Sequence, residues 1–256
     1  MTTTDLFQHR FTAAFRVDIG AKRSSNQDEI ICCPEYGFFA VSDGMGGLRG
    51  GKETSAMIAQ ALPGMIKAAY QELKGNPLPE RAAELLQEQA ALISDNIYEK
   101  LNRDSDFAYG ATLCGLWLVG SDAVFVNLGD SRGYLLGAGK ENIRQVTKDH
   151  NVAAALVANG ELSREEARGH RVSSILTRFV GMEAPALPEA FVVELAPGDR
   201  ILICSDGLHG MVEDARITGL LGADDNPEQV VKLLIDEANL AGGRDNISAI
   251  YIKIMP

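Results

Sequence analysis

The sequence predicts an α+β protein, a four-layer αββα sandwich in which two mainly antiparallel sheets pack face to face between outer helices. Two observations lead to this fold class. Apolar runs of strand length cluster in two blocks, and long segments with apolar residues at helical spacing accompany each block. The 256 residues are 46% apolar and 23% charged, which provides enough apolar material for a sizeable core. We therefore expect one domain over residues 1–256.

The first predicted strand lies near the N-terminus. Apolar residues alternate with more polar ones from Phe11 to Ile19, which is typical of a strand with one buried face. The polar residues 1–10 before it should form a loose end. Two more strands are expected at 29–33 and 37–42, with a turn between them.

Two long helices should follow these strands. Apolar residues recur at helical spacing over 53–73 and again over 79–101. Pro63 should kink or divide the first helix, because proline lacks a backbone N–H and its ring clashes with the preceding turn. Both helices are expected to cover a sheet.

The second half of the chain alternates strands with shorter helices. Three strands are expected over 108–137, and the segment 143–146 adds one more. A polar insertion containing two short helices comes next, and a hairpin, a capped helix and a final strand complete the chain. The predicted spans are 151–159 and 163–168 for the short helices, 191–195 and 200–205 for the hairpin, 226–240 for the capped helix, and 247–252 for the last strand.

Composition restricts the possible function. The net charge of −11 argues against nucleic-acid binding, which relies on Lys and Arg. No apolar run approaches the roughly 18 residues of a membrane helix, so we expect a soluble cytoplasmic protein without membrane contact. The cysteines form no CxxC pair and lie in strand-like runs, which predicts buried free thiols in a reducing compartment. They are Cys32, Cys33, Cys114 and Cys204.

Aspartates stand at the ends or starts of five strand-like runs. Asp43 closes an apolar run and is followed by several glycines, and the same Ser-Asp-Gly triplet recurs at Asp206. Because antiparallel neighbours place the end of one strand beside the start of the next, all five carboxylates can share one sheet edge. The others are Asp130, at a strand end, and Asp28 and Asp245, just before strands.

Such a cluster predicts a cation site. A single aspartate of this kind could simply cap a strand-to-helix turn, since short glycine motifs often match by chance. Five carboxylates at one edge would repel each other unless cations hold them. The donors are all oxygen atoms, which favours Mg²⁺ or Mn²⁺ over Zn²⁺. The histidines form no HxxxH pair and are expected at the surface or behind the ligands; they are His9, His150, His170 and His209.

Eight short segments form an ordered set. They are RSSNQD at 23–28, SDGMGG at 42–47, GAT at 110–112, LGDSR at 128–132, TKDH at 147–150, LTRFVG at 176–181, CSDGL at 204–208 and DNIS at 245–248. This set resembles the metal-dependent protein phosphatase family, the PP2C type of serine/threonine phosphatase. The resemblance is greatest to the bacterial branch, because Met45 stands where animal members carry His.

The resemblance implies a site for two divalent ions. Asp43 would be the carboxylate shared by both ions, with a contribution from the Gly44 carbonyl. Asp206 and Asp245 would complete the ligands of the first ion. In bacterial relatives the aspartates that match Asp130 and Asp206 hold a third, weaker ion, and the same is expected here.

Gln27 and Asp28, beside these ligands, differ in the charge that they can contribute to metal binding. Gln27 stands where many relatives have Glu, and a neutral amide does not provide the same charge to water-mediated ligation. Asp28 is then the more secure carboxylate, and we expect it behind the ligands rather than on an ion.

The implied chemistry is direct hydrolysis of phosphoserine and phosphothreonine by a metal-bridging hydroxide, without a covalent phospho-enzyme. Arg23 would bind the phosphate oxygens through its planar guanidinium group, although a solvated loop arginine is the alternative. Met45 cannot donate a proton, so the leaving group must be protonated by metal-bound water or by another residue.

The resemblance also suggests partners and a mobile segment. Residues 148–178 match a flap beside the active site in the family, while an ordinary helical excursion remains the alternative. The implied substrates are phosphorylated proteins, with a cognate Ser/Thr kinase as the opposing enzyme, and a monomer is expected.

Two other functions are compatible with parts of the pattern. A pseudophosphatase would use the same fold to bind phosphopeptides in signalling, but it would typically lack one of Asp43, Asp206 and Asp245, which are all present. A metal-dependent nuclease could also use clustered aspartates, but the charge of −11 and the absence of a basic stripe argue against it.

Overall fold

The computed structural model describes residues 2–4, 6–45, 47–105 and 109–256, with the backbone alone for 2–4 and 47–49. Gly46 of the glycine-rich motif and Ala108 at the predicted start of a strand lie outside the described residues. The described chain forms two antiparallel sheets with helices on their outer faces. None of its helices is both long and apolar enough to cross a membrane.

Twelve strands are described, and they are short except for one. In chain order they are β1 (Thr2–Thr4), β2 (Phe7–Asp18), β3 (Asp28–Cys33), β4 (Phe38–Met45), β5 (Gly110–Ala111), β6 (Leu113–Val119), β7 (Asp122–Leu128), β8 (Arg132–Leu136), β9 (Arg144–Gln145), β10 (Glu189–Glu194), β11 (Arg200–Cys204) and β12 (Ile247–Ile254). The first sheet has the order β1-β2-β12-β11-β8-β9. The second has the order β10-β7-β6-β4-β3, with β5 paired to β4.

Long helices flank the sheets and short ones connect strands. They are α1 (Gly47–Leu73), α2 (Pro79–Ile97), α3 (Val152–Ala158), α4 (Arg164–Ala167), α5 (Asp206–His209), α6 (Asp214–Leu221) and α7 (Pro227–Leu240). The predicted cap at the start of α7 is present, because Asn226 accepts a backbone N–H of that helix. Asn151 and Ser163 cap α3 and α4 in the same way. The expected four-layer sandwich is confirmed.

Strand β6 shows why the central runs of the sequence are continuously apolar. All seven of its residues are buried. Cys114, Leu116 and Leu118 face the core between the two sheets, whereas Leu113 and Trp117 face α1 and α2 on the outer side. A central strand of a four-layer sandwich therefore has no polar face, and the alternation seen in exposed strands disappears.

The described residues 2–4 and 7–10 lie in strands, so the prediction of a loose end over residues 1–10 is wrong for them. β1 pairs back on β2, which begins at Phe7. Phe7 is buried, and its ring packs edge-on against Phe11 with centroids 6.3 Å apart. The polar residues on either side of Phe7 hid the strand pattern in the sequence.

The first long helix also differs from its prediction. It begins at Gly47 rather than at residue 53, and it continues through Pro63 without division. A Cβ on Gly51 would lie 2.5 Å from the Gly44 carbonyl carbon. The glycines therefore allow the start of α1 to approach the end of β4 at a distance that no other residue permits.

The predicted hairpin of 191–195 with 200–205 does not exist. β10 pairs with β7 at the edge of the second sheet, whereas β11 lies between β8 and β12 in the first. The turn at 197–199 therefore carries the chain from one sheet to the other. Local turn signals are the same for a hairpin and for a crossing between sheets, so the sequence did not separate them.

The aspartates meet at one end of the sandwich. Asp28 and Asp43 are paired across β3 and β4 in the second sheet, while Asp206 and Asp245 lie next to the ends of β11 and β12 in the first. Asp130 lies in the turn between β7 and β8, which belong to different sheets. The edge is thus shared by both sheets, not formed by one sheet as the strand-end argument expected.

Candidate active site

A cleft of about 290 Å³ opens at this end of the sandwich. Its walls combine four carboxylates with one guanidinium group and a few apolar atoms. The lining residues are Arg23, Gln27, Asp43, Gly44, Met45, Thr112, Asp130, Ser174, Leu176, Asp206 and Asp245. The structure thus brings together every predicted site residue except Asp28, which is buried behind the cleft and paired with Asp43.

Thr112 holds the backbone of Asp43. The Asp43 N–H donates to Thr112 Oγ1 at 3.0 Å, and the Thr112 N–H donates back to the Asp43 carbonyl at 2.8 Å. Thr112 Oγ1 also shares a hydrogen bond of 2.6 Å with Ser131 Oγ. The strand that carries Asp43 is therefore tied to the turn that carries Asp130.

Gly44 lies in close contact with the backbone of two neighbouring segments. A Cβ at this position would lie 2.3 Å from the Gly51 carbonyl oxygen and 2.8 Å from that of Gln27. Its N–H donates to the Gln27 carbonyl at 3.2 Å. The glycine after Asp43 is thus required sterically, because any side chain would push α1 off the strand end.

Asp245 and Asp206 come from the first sheet. Asp245 accepts the Asn246 N–H at Oδ1, 2.8 Å away, and Arg23 Nη2 at Oδ2, 2.6 Å away. Asp206 is the first residue of α5, and the charge of its carboxylate acts on that of Asp43. Arg23 is 47% exposed at its side chain, so it sits at the mouth of the cleft.

Two histidines support the Asp130 turn from behind. Burial lowers the pKa of His209 to about 3, so its ring is neutral, and Nε2 lies 2.9 Å from the Asp130 carbonyl, to which it donates. Burial likewise lowers the pKa of His150 to about 4, and its Nδ1 accepts the Gly129 N–H at 3.2 Å. Both rings position this backbone turn, as expected of histidines behind the ligands.

The carboxylates disfavour one another's charge. Burial, followed by the charges of neighbouring aspartates, raises the pKa of Asp43 well above its usual range. Burial and the charge of Asp206 do the same for Asp130. The pKa of Asp206 is raised to about 6 and that of Asp28 to about 7, in each case chiefly by burial. Such a cluster gains free energy from any added positive charge.

Two buried oxygens in this region have no hydrogen-bond partner within the described chain. They are Asp206 Oδ1 and Asp28 Oδ1. A buried carboxylate oxygen without a donor is costly, and a cation satisfies it. The donor set is oxygen-only, which fits Mg²⁺ or Mn²⁺ rather than Zn²⁺.

The side chains are not yet arranged around an ion. Over the ranges that the structure describes, no three acidic, histidine or cysteine side chains form a ready metal-holding group. Asp245 instead pairs with Arg23 at 2.6 Å. The residues fit divalent ions in chemistry and charge, and binding through Asp245 Oδ2 would require its contact with Arg23 to be exchanged for a metal contact.

Sequence reasoning missed several residues that hold the site together. Thr112, Ser131 and Asn246 lie inside quoted motifs, but only their aspartate and glycine neighbours were given roles. Ser248 donates its hydroxyl to Asp28 Oδ2 at 2.7 Å. Their positions in the sequence gave a usable signal, because each of these polar residues lies within three positions of an aspartate or glycine of its own motif.

The segment of residues 148–178 reaches the site. Ser174 and Leu176 line the cleft. The base of the segment is closed by an antiparallel bridge between Asn151 and Leu176, and the Thr177 N–H donates to the His150 carbonyl at 2.8 Å. Residues between these points therefore leave and return beside the Asp130 turn.

Comparison with known proteins agrees with this arrangement. A family model described as protein phosphatase 2C matches residues 21–234. The serine/threonine phosphatase stp of Listeria innocua is 32% identical over 245 residues, which cover 94% of this chain and 95% of that protein. Protein phosphatase PhpP of Streptococcus pneumoniae is 31% identical over 242 residues, covering 93% and 95%.

Solved structures share the fold over nearly the whole chain. The S. agalactiae serine/threonine phosphatase superposes with a TM-score of 0.82 at 28% identity, covering 96% of this chain and 100% of its own. The catalytic domain of the serine/threonine protein phosphatase PstP, solved in complex with two manganese ions, gives a TM-score of 0.77 at 27% identity, covering 96% and 99%. The family match and the full-length relatives together show that this chain belongs to the protein phosphatase 2C family.

Proposed function

We propose that this protein-serine/threonine phosphatase hydrolyses phosphoserine and phosphothreonine by direct attack of water, using two divalent ions held in the cleft. The observation that carries the proposal is the cluster of buried carboxylates whose charges oppose one another while Asp206 Oδ1 has no donor in the described chain. Asp43, Asp206 and Asp245 are the proposed ligands, together with the Gly44 carbonyl. Bound ions would supply a water of lowered pKa and polarise the phosphoryl oxygens.

Asp43 is the proposed shared ligand. Its carboxylate interacts with those of Asp28, Asp130, Asp206 and Asp245, so it lies at the centre of the negative charge. Its backbone is held on both sides by Thr112, which keeps the carboxylate in place while charge develops on the substrate. Gln27 and Asp28 are the proposed supporting residues, because Gln27 lines the cleft and Asp28 is buried beneath Asp43.

Arg23 is the proposed phosphate-binding residue. Its guanidinium group lies at the mouth of the cleft and already contacts a carboxylate oxygen of Asp245 at 2.6 Å. A phosphate monoester presents the same kind of acceptor, with more charge and room for two parallel hydrogen bonds. The proposal requires Arg23 to exchange the Asp245 oxygen for substrate oxygens.

Asp130 is the proposed ligand of a third, weaker ion, shared with Asp206. Its carboxylate is buried and lines the cleft, and burial together with the negative charge of Asp206 raises its pKa. Met45 is apolar, so protonation of the leaving group must come from elsewhere, and water held near Asp130 is the proposed source. Asp130→Ala should cut kcat more on phosphopeptides than on aryl phosphates, whose leaving groups need less acid. Equal losses on both substrates would remove this role.

The physiological setting is part of the same proposal. The substrates are phosphorylated proteins, the opposing enzyme is a Ser/Thr kinase, and the chain acts as a monomer of one domain with residues 148–178 as its flap. Four free thiols support a reducing, cytoplasmic location. No observation favours a pseudophosphatase, since Asp43, Asp206 and Asp245 all line the cleft.

A metal-removal assay tests the proposal. The purified protein is assayed on phosphoserine and phosphothreonine peptides after treatment with EDTA and again after Mn²⁺ or Mg²⁺ is added. Turnover should vanish with EDTA and return with the metal, and a plasmid-nicking assay run in parallel should stay blank. Full turnover in EDTA would overturn the metal role, and phosphopeptide binding without turnover in Mn²⁺ would indicate a pseudophosphatase.

A further inference from the structure

Asn246 lies next to a proposed metal ligand, but its side chain points to a different part of the site. It is buried, and its Oδ1 accepts the Gln27 N–H at 2.9 Å. Its Nδ2 donates to the Ile19 carbonyl at 2.9 Å and to the Ser25 carbonyl at 3.0 Å. These partners lie on both sides of Arg23, in a segment we call the Arg23 loop (residues 19–27). We propose that Asn246 is the positioning residue that sets Arg23 for phosphate binding.

The Arg23 loop needs such a support because its tip is exposed. Residues 21–24 are all exposed, while Gln27 and Asp28 are buried. At the entrance of the loop, the N–H groups of Ala21 and Lys22 donate to the Gly243 carbonyl at 2.8 and 3.1 Å. These two bonds hold only the part of the loop that precedes Arg23. Asn246 binds Ile19 before Arg23 and Ser25 and Gln27 after it, so it connects the two ends of the loop.

The chemistry of this position suits an amide. A primary amide offers two N–H donors and one carbonyl acceptor, and all three are used here. A carboxylate could accept from Gln27 but would face two carbonyl oxygens without a proton to donate. A shorter hydroxyl would reach one partner at most. The loop is therefore held by a group that few other residues can replace.

The same side chain couples the loop to the strand that bears Asp43. The backbone carbonyl of Gln27, whose N–H binds Asn246, accepts two hydrogen bonds. One comes from the Gly44 N–H at 3.2 Å and the other from the Ser55 hydroxyl at 2.7 Å. A shift of Gln27 would therefore displace both the loop that carries Arg23 and the backbone next to Asp43. Misplacement of a phosphate-binding group by about 1 Å is enough to lower the rate by roughly 10²-fold.

This inference rests on the proposed role of Arg23, and a double-mutant cycle separates the two. Arg23→Ala alone should lower kcat/KM on a phosphopeptide by about 10- to 150-fold, which is the value of a lost charge-assisted contact. Asn246→Ala alone should lower it by at least roughly 10-fold, within the 10²-fold cost of a 1 Å misplacement. In the Arg23→Ala background, Asn246→Ala should change kcat/KM by less than about 2-fold, because residues acting as one unit are not additive.

Asn102 provides a matched control. Its side chain also makes three hydrogen bonds to backbone, accepting the Tyr109 N–H at 2.8 Å and donating to the carbonyls of Tyr109 and Gly181, both at 2.6 Å. Asn102→Ala should therefore lower stability to a similar degree, yet its effect on kcat/KM should be small and should add to that of Arg23→Ala.

Hydrogen–deuterium exchange gives a readout that does not depend on turnover. Asn246→Ala should raise exchange in peptides covering residues 19–27 at least roughly 10-fold, and Asn102→Ala should not. If Asn246→Ala does not fold, Asn246→Ser replaces it in every arm, because its hydroxyl keeps one partner.

The outcomes separate the two claims. If Arg23→Ala lowers kcat/KM but the loss from Asn246→Ala adds to it, the positioning role is overturned and the role of Arg23 stands. Unchanged exchange over residues 19–27 also overturns the positioning role. If Arg23→Ala leaves kcat/KM unchanged, both claims fail.

Discussion

The Asp149 carboxylate and the cluster of carboxylates in the cleft lie near each other in this protein, but the protein compensates their charges differently. Asp149 accepts three hydrogen bonds of 2.7 to 3.1 Å from Arg132 and one of 2.8 Å from Gln145. Burial opposes its charge, but these bonds and the charge of Arg132 outweigh burial and lower its pKa. In the cleft, burial also opposes the charges of Asp28, Asp43 and Asp206, and there their pKa values are raised.

The difference lies in where the positive charge comes from. Arg132 is part of the fold and lies on β8, so Asp149 is neutralised within the protein. Among the described residues that line the cleft, Arg23 is the one cation, and it is 47% exposed and pairs with Asp245. Buried acids that the protein leaves uncompensated mark a place where a cation or substrate supplies the missing interaction. Four predictions test this contrast, from the largest expected effect to the smallest.

Asp43→Asn should have the largest effect, and its sign should depend on the property measured. Loss of the shared ligand removes several kcal/mol of transition-state stabilisation, so kcat on a phosphopeptide should fall by roughly 10³-fold or more at saturating Mn²⁺. Without metal, the same variant should unfold at higher urea concentration than the wild type, because asparagine neither has to take up a proton nor opposes neighbouring charges when the chain folds. A wild-type rate at saturating Mn²⁺ would show that Asp43 is not the shared ligand.

Asp149→Asn should lower stability where Asp43→Asn raises it. Removal of one partner of a buried ion pair leaves Arg132 uncompensated, which costs about 3–5 kcal/mol in free energy of unfolding. Urea denaturation in EDTA measures this directly.

The control for Asp149→Asn is Glu237→Gln. Glu237 accepts two bonds from Arg216, at 2.9 and 2.8 Å, in a bidentate pair at the surface. Its loss should matter far less, because water screens exposed pairs. Equal effects of the two substitutions would mean that burial does not distinguish the pairs.

The metal-free protein should lose stability as the pH rises. Asp28 and Asp206 have folded-state pKa values of about 7 and about 6, above the ordinary 3.8. The folded protein therefore keeps protons that the unfolded chain has released, so the free energy of unfolding should fall between about pH 4 and pH 7. Asp149 acts in the opposite sense, since its lowered pKa gives stability that is lost only as the pH falls below about 4.

Urea midpoints in EDTA across pH 4 to 8 measure this dependence. Asp28→Asn should make the decline shallower, and saturating Mn²⁺ should remove it, because bound cations favour the charged carboxylates. A midpoint that rises steadily from pH 4 to pH 7 without metal would contradict the raised pKa values.

The smallest expected effect is that of Arg23→Ala on the affinity of the cleft for Mn²⁺. It removes the guanidinium group that competes with metal for Asp245 Oδ2, and an exposed ion pair of this kind is worth about 0.2–1 kcal/mol. Calorimetric titration should therefore show Mn²⁺ binding about 1.5- to 5-fold more tightly than in the wild type. Weaker Mn²⁺ binding in Arg23→Ala would instead show that Arg23 supports the metal site.

Much of the fold follows from local rules, which is why the sequence predicted it. Apolar runs, helical spacing and cap residues such as Asn226 act over a few positions, and the structure confirms most of these elements. The predictions were wrong where one local sequence pattern is compatible with two different tertiary arrangements. The turn at 197–199 could have closed a hairpin, but it connects two sheets because β11 pairs with β8 and β12.

The site divides in the same way. The sequence by itself determined the donor chemistry, because aspartates at strand ends with adjacent glycines restrict the site to oxygen ligands and close backbone approach. Only the tertiary structure decided which acids are compensated, since Arg132 meets Asp149 and Asn246 meets Gln27 through pairings between residues 17 and 219 positions apart. Charge depends on neighbours in space, and strand pairing between distant segments sets those neighbours.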